Sequence, residues 1–169
     1  MVVWIIGLSG AGKTTLASQI VTEVQKEISN VVLVDGDIIR EMFGNDLGHS
    51  MVDRRKNADR ICQLCKFLDD QGINVVCAIL SLFPESRSWN RKNLKSYYEV
   101  FIDVPVSDLM ARDIKGIYKR FNSGELSDVA GMDIDFPRPV NADLIIKNTD
   151  SNDNLLSFSP TVVDKIMGR

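Results

Sequence analysis

The chain has 169 residues, a net charge of −3, 44% hydrophobic and 25% charged residues, the proportions of one globular domain. No basic block stands out, which excludes nucleic acid as an expected partner, since duplex binding rests on a clustered Lys/Arg footprint. The apolar opening is too short for a secretory signal and lacks a basic flank. No stretch approaches the roughly 18 apolar residues of a membrane span, so a cytoplasmic protein with no membrane partner is expected.

In chain order, Val2–Ile6 reads as a buried strand and runs into Gly7-Leu8-Ser9-Gly10-Ala11-Gly12-Lys13-Thr14-Thr15, a match to G-x-x-x-x-G-K-[ST]. The glycines let successive N–H groups turn inward on phosphate oxygens, and a helix N-terminus adds unpaired donors. Lys13 is placed to bridge β- and γ-phosphates, and the Thr14 hydroxyl to ligate Mg²⁺. An amphipathic helix follows over Lys13–Ile28, then a second strand, Val31–Val34, that ends in Asp35-Gly36-Asp37. Ligands sit beyond the carboxyl ends of strands in open α/β sheets, so both acids face the phosphate site. One can serve the metal, the other the proton of an acceptor hydroxyl. The plainer reading is a turn that caps the next helix.

Arg40, on the first turn of that helix, is the candidate clamp for an anionic substrate, while Arg55, Lys56 and Arg60 read as solvated charge. A long helix over Val52–Asp70 carries Cys62 and Cys65. With Cys77 and His49 they could suggest a metal or redox site, but the helical spacing favours buried, reduced thiols. Ile73–Ile79 is the third strand, with a short helix around Ser86–Lys95, and Glu99–Asp103 is the fourth. Val106–Asn122 reads as one broken or two short helices and includes a basic stretch from Arg112 to Lys119. The segment Asn122–Pro139 reads as a long loop, of the kind that serves as a lid. Together these make a cationic lid over about 112–139. Asp143–Lys147 is the fifth strand and Leu155–Met167 the last helix. This alternation predicts a single α/β domain over 1–169, a three-layer doubly wound P-loop fold with a five-stranded parallel sheet.

A phosphate loop alone does not separate the nucleotide-using classes. A GTPase needs an N-K-x-D, which the chain lacks, and Asp128-Val129-Ala130-Gly131 matches D-x-x-G only formally because it falls far too late. Motor ATPases are usually much larger. The residues therefore indicate a small-molecule kinase using ATP and Mg²⁺, with Thr14 and Asp35 at the metal. A non-catalytic nucleotide sensor would not need the acids or the lid cation. A nucleoside-monophosphate or sugar kinase would share the loop and lid, but not the D-G-D-x-x-R and D-L-G-x-S blocks together.

Those blocks carry a resemblance to the adenylyl-sulfate kinases over nearly the whole chain. GLSGAGKTT resembles that family's phosphate loop, DGDIIR with NDLGHS and DRRKNADRI its substrate side, and EVFIDVP with ARDIKGIYK and NSGELSDVAGMD its fourth strand and lid. The resemblance implies transfer of the γ-phosphoryl group of ATP to a ribose 3′-hydroxyl of a small nucleotide acceptor. It assigns Asp35 and Asp37 to the metal and the acceptor hydroxyl. Arg40, Arg54 and Asn57 would hold the acceptor's ribose and 5′ substituent, Lys115 the transferring phosphoryl group, and Arg112 the ATP adenine. Ser81 matches a serine named in some members as a transient phospho-acceptor, which direct in-line transfer does not need. The family is commonly dimeric, so a homodimer is implied. The chain departs at His49 and Val129, where the family has two phenylalanines that sandwich the acceptor's adenine. It also has Leu82 and Pro84 where the family has Pro and Arg, while Arg87 keeps a second Arg. A capsule-pathway relative phosphorylates cytidine diphosphoramidate, and the smaller pyrimidine suits a His/Val pair. The sequence therefore leans to that acceptor, with adenylyl sulfate as the alternative.

Overall fold

The five strands form one parallel sheet in the order β2-β3-β1-β4-β5. They are β1 (Val2–Ile6), β2 (Val31–Asp35), β3 (Asn74–Ile79), β4 (Tyr97–Asp103) and β5 (Leu144–Lys147). The computed structural model describes residues 1–149 and 152–169, with Asn152 and Asp153 by backbone alone. Central β1 pairs with β3 on one side and β4 on the other, so that Val3 stands opposite both Val76 and Tyr98. Every residue of β1 is buried, because a strand in the middle of a parallel sheet has helices on both faces. Its side chains divide by the period of two. Val3 and Ile5 enter a core with Leu16 and Ile20 of α1 (Lys13–Val24), while Val2, Trp4 and Ile6 enter a second core with Ile61 and Cys65 of α3 (Met51–Asp70). This is the expected three-layer α/β architecture.

The remaining helices are α2 (Gly36–Met42), α4 (Pro84–Asn93), α5 (Val106–Arg112), α6 (Ile117–Asn122), α7 (Asn152–Leu156) and α8 (Ser159–Met167). Two boundaries differ from expectation for reasons of proline chemistry. The expected single helix from Leu155 is two helices, because Pro160 lacks an N–H and its ring cannot follow a preceding helical turn. It begins α8 instead, as a first-turn proline. Likewise α4 starts at Pro84, two residues ahead of Ser86. The helix expected to reach Ile28 ends at Val24, and turns fill the interval.

All three cysteines are free and buried, Cys62 and Cys65 as their helical spacing indicated. Burial, with the neighbouring Cys65, pushes the Cys62 thiol up to about 12, which makes it inert at neutral pH. Among the described residues no helix is long and apolar enough to cross a membrane. Parallel strands put all five carboxyl ends on one edge of the sheet, where the loop after β1, helix α2 and the Leu80–Phe83 turn converge.

Candidate active site

The loop after β1 folds so tightly that side chains at two of its glycines would be strained or crowded. Gly12 has φ 101°, and a Cβ there would lie 2.5 Å from Leu155 Cδ2 and 3.3 Å from Asn148 Nδ2. A Cβ on Gly7 would stand 3.0 Å from the Ile102 carbonyl. Helix α1 starts immediately after Gly12, with no side-chain cap and no acid in its first turn, leaving its N–H groups and partial positive charge to an anion. The Lys13 ammonium donates to the Leu8 carbonyl at 2.9 Å. Burial and the nearby Lys115 lower its pKa to about 8, against the opposing pull of Asp37 and Asp35.

Asp35 unites the two roles read from the sequence. Its Oδ1 accepts from the Asp37 N–H at 2.9 Å, capping α2, while its Oδ2 accepts from the Thr14 hydroxyl at 2.7 Å. The Asp37 carboxylate meets the Lys115 ammonium at 2.6 Å across the site. Burial acts to raise the Asp37 pKa, but the Lys115 hydrogen bond and charge, with Lys13 and Arg40, hold it below the usual carboxylate range. No cluster of three or more His, Cys, Asp or Glu suited to a metal occurs among the described residues. A hydroxyl and one carboxylate beside a phosphate cradle nevertheless fit Mg²⁺, which takes few protein oxygens and shares phosphate oxygens and water.

A cleft of about 340 Å³ opens over these groups. Ser9, Lys13 and Thr14 line it with Asp35, Asp37 and Lys115, and two further segments wall it: His49 with Arg54 at the start of α3, and Leu126 to Ala130. An adjoining pocket of about 110 Å³ is lined by Arg40, His49, Arg54, Asn57 and Ser81. The expected acceptor residues Asp35, Arg40, His49, Arg54, Asn57, Ser81 and Val129 are thus brought together from four chain segments. Asn57 is 6% exposed, and its Oδ1 has no partner among the described residues, a buried acceptor open to a ligand donor. Ser81 adopts φ 56°. Its Oγ accepts from Trp4 Nε1 at 3.2 Å, and its carbonyl accepts from the buried Arg87 at 2.8 Å.

The two acceptor-side arginines are tied to backbone as well as facing the pocket. Arg40 donates to the Leu47 and Gly48 carbonyls at 3.1 and 2.9 Å. Arg54 donates to His49 at 2.7 Å and to Asp128 at 2.6 Å. Burial first, then Arg40 and Arg54, lowers the His49 pKa, so this side chain is neutral at physiological pH. Arg112 does not line the cleft. It donates to the carbonyls of Asn148 and Thr149 at 2.7 and 2.9 Å, on the β5 side of the phosphate loop.

Solvated charge is too bland a description for two of the helix α3 cations. Arg60 makes two hydrogen bonds to Asp46 and lies 4.0 Å over the Phe43 ring, and Arg55 pairs with Glu85 and lies 3.8 Å over Phe83. They brace the turns that carry the pocket. The lid is also more structured than a loop. Tyr118 on α6 donates to the Ser9 carbonyl at 3.0 Å, and an Ala130–Ile134 bridge folds the segment so that Val129 and Ala130 are buried. Sequence reasoning missed Tyr118 and also Asn148, whose Nδ2 donates to the Ala11 carbonyl at 3.0 Å. Their signals are long-range contacts, which leave no local pattern.

Residues 1–147 match the sequence model of the adenylylsulphate kinase family. A cytidine diphosphoramidate kinase from Campylobacter jejuni is 37% identical over 168 residues, spanning 98% of this chain and 95% of its own length. An adenylyl-sulfate kinase from Deinococcus deserti is 37% identical over 146 residues, 86% of this chain and 81% of its length. The solved structure of Mycobacterium tuberculosis APS kinase CysC, in complex with AMPPNP and APS, superposes with a TM-score of 0.87. It is 33% identical and covers 98% of this chain and 96% of that one.

Proposed function

The chain belongs to the adenylylsulphate kinase family, and from that premise we propose that it transfers the γ-phosphoryl group of ATP to the ribose 3′-hydroxyl of cytidine diphosphoramidate. The coarser activity is that of its relatives, a kinase acting on a nucleotide 3′-hydroxyl. The observation that carries the choice of acceptor is the pair His49 and Val129, one on each wall of the cleft. Stacking a base on an aromatic side chain is worth roughly 1–3 kcal/mol, and a Val wall forgoes most of that. A pyrimidine has less stacking surface to lose than adenine. The near end-to-end match to the Campylobacter relative supports the same acceptor.

In this reading the glycine-rich loop, Lys13 and the start of α1 hold the ATP phosphates. Thr14 and Asp35 hold Mg²⁺, which when bound offsets charge on the phosphates. Asp37 faces the acceptor hydroxyl and takes its proton, and Lys115 stands where negative charge develops on the transferring group. Arg40, Arg54 and Asn57 orient the acceptor in the smaller pocket, and Arg112 belongs to the ATP adenine side. Ser81, hydrogen-bonded through its Oγ to Trp4, shapes the pocket, with no phosphoserine step required. A cytoplasmic site of action and a homodimer accompany this reading on family grounds. Adenylyl sulfate is the second reading, favoured by the likeness to a structure solved with APS bound. ADP release measured with each acceptor in parallel decides between them: faster turnover of cytidine diphosphoramidate is expected, and a preference for adenylyl sulfate would overturn the choice of acceptor.

A further inference from the structure

The two walls of the cleft lie far apart in sequence, one at His49 and the other at Val129, and Arg54 joins them. Its Nε donates to the His49 carbonyl and its terminal nitrogen to the Asp128 carbonyl, at 2.7 and 2.6 Å. For the second bond to form, the Asp128 peptide must present its oxygen toward Arg54, and Asp128 does so at φ 61°. Asp enters that left-handed conformation more readily than most residues with a side chain, but still less readily than glycine, so contacts within the turn decide how firmly it is held.

Asp133 supplies the restraint. Its two carboxylate oxygens accept separately from the Asp128 N–H at 2.8 Å and the Val129 N–H at 2.6 Å. Hydrogen bonds to an ionised acceptor are stronger than neutral ones. Burial acts to raise the Asp133 pKa, but these backbone donors prevail and lower it, keeping the carboxylate ionised at working pH. Asp133 itself is exposed and lines neither pocket. The rest of the turn closes without it, through Gly131 N–H to the Ile134 carbonyl at 2.8 Å and Met132 N–H to the Val129 carbonyl at 3.0 Å.

We infer that Asp133 is a positioning residue for acceptor recognition: through Asp128 and Arg54 it fixes the gap between His49 and Val129. The inference rests on the reading that the acceptor lies between those two walls. It does not depend on which base the acceptor carries. Without Asp133 the 128–129 peptide is free to turn away, Arg54 loses one of its two loop contacts, and the walls no longer hold a set spacing.

The test is steady-state kinetics of Asp133→Ala and Asp133→Asn, with whichever acceptor the unaltered protein uses best, varying acceptor and ATP separately. The near-isosteric Asn variant, which keeps one accepting oxygen, preserves the test if the Ala variant folds poorly. The acceptor KM should rise about tenfold in Asp133→Ala, the worth of roughly 1.4 kcal/mol, and by less in Asp133→Asn. The KM for ATP and kcat should stay within about twofold. An unchanged acceptor KM, or a KM for ATP rising by the same factor, would overturn the inference. Loss of the expected cytidine preference in the unaltered protein would bear on the proposed acceptor alone.

Discussion

Lys115→Ala separates a catalytic cation from a structural one. The Lys115–Asp37 pair is short, at 2.6 Å, but its side chains are 55% and 69% exposed. An ion pair so open to water is screened, and its loss costs the fold about 0–1 kcal/mol. In the proposed transfer step the same ammonium, which lines the cleft, faces developing charge. Removing one such preorganised donor elsewhere costs about 10²–10³ in kcat, roughly 2.7–4 kcal/mol. The variant should therefore melt in urea almost as the unaltered protein does, followed by the fluorescence of Trp4 and Trp89, while ADP release falls at least 100-fold. The sign of a second effect follows from Asp37. Its pKa is held down by the Lys115 hydrogen bond and charge. In the variant that pKa rises, and the acid limb of the pH–rate profile moves to higher pH. Turnover within about threefold of the unaltered protein, or a stability loss above about 2 kcal/mol, would refute this division of roles.

Lys13 and Gly12 give two further expectations. In the proposed site the Lys13 ammonium, with its pKa lowered to about 8 in the free protein, is the form that would bind phosphate, so kcat/KM for ATP should decline as pH rises through about 8. A profile flat to pH 10 would contradict this. Gly12→Ala places a Cβ 2.5 Å from Leu155 Cδ2 at φ 101°. It should destabilise the fold by about 1–3 kcal/mol and abolish ATP binding by calorimetry. Retention of both would mean that the loop is far softer than its packing indicates.

The sheet was legible because parallel strands buried on both faces must be written as continuous apolar runs, and Val2–Ile6 is such a run. The phosphate loop was legible because its mechanism demands particular residues at fixed spacing, and the acids at the end of β2 because the fold sends that end to the ligand. Other features were not legible. Nothing local marks Asn148 as a support for Ala11, which lies 137 residues away, or Tyr118 as a partner of Ser9, which lies 109 away. Arg40 and Arg54 were legible as cations near the site. Their bonds to loop carbonyls depend on how two distant segments fold together, as does the carboxylate of Asp133 beneath Asp128 and Val129. Pro160 was visible in the sequence, and its effect in dividing the last helix follows from proline chemistry that a reading by apolar period alone passes over.

The most direct test of the central claim is competition between cytidine diphosphoramidate and adenylyl sulfate for the same protein with ATP and Mg²⁺, the products separated and the phosphorylated ribose position located by NMR. The 3′-phosphorylated cytidine product is expected to dominate at equal acceptor concentrations. Dominance of 3′-phosphoadenylyl sulfate would contradict the specificity assigned to His49 and Val129, and phosphorylation of neither nucleotide would contradict the acceptor class itself.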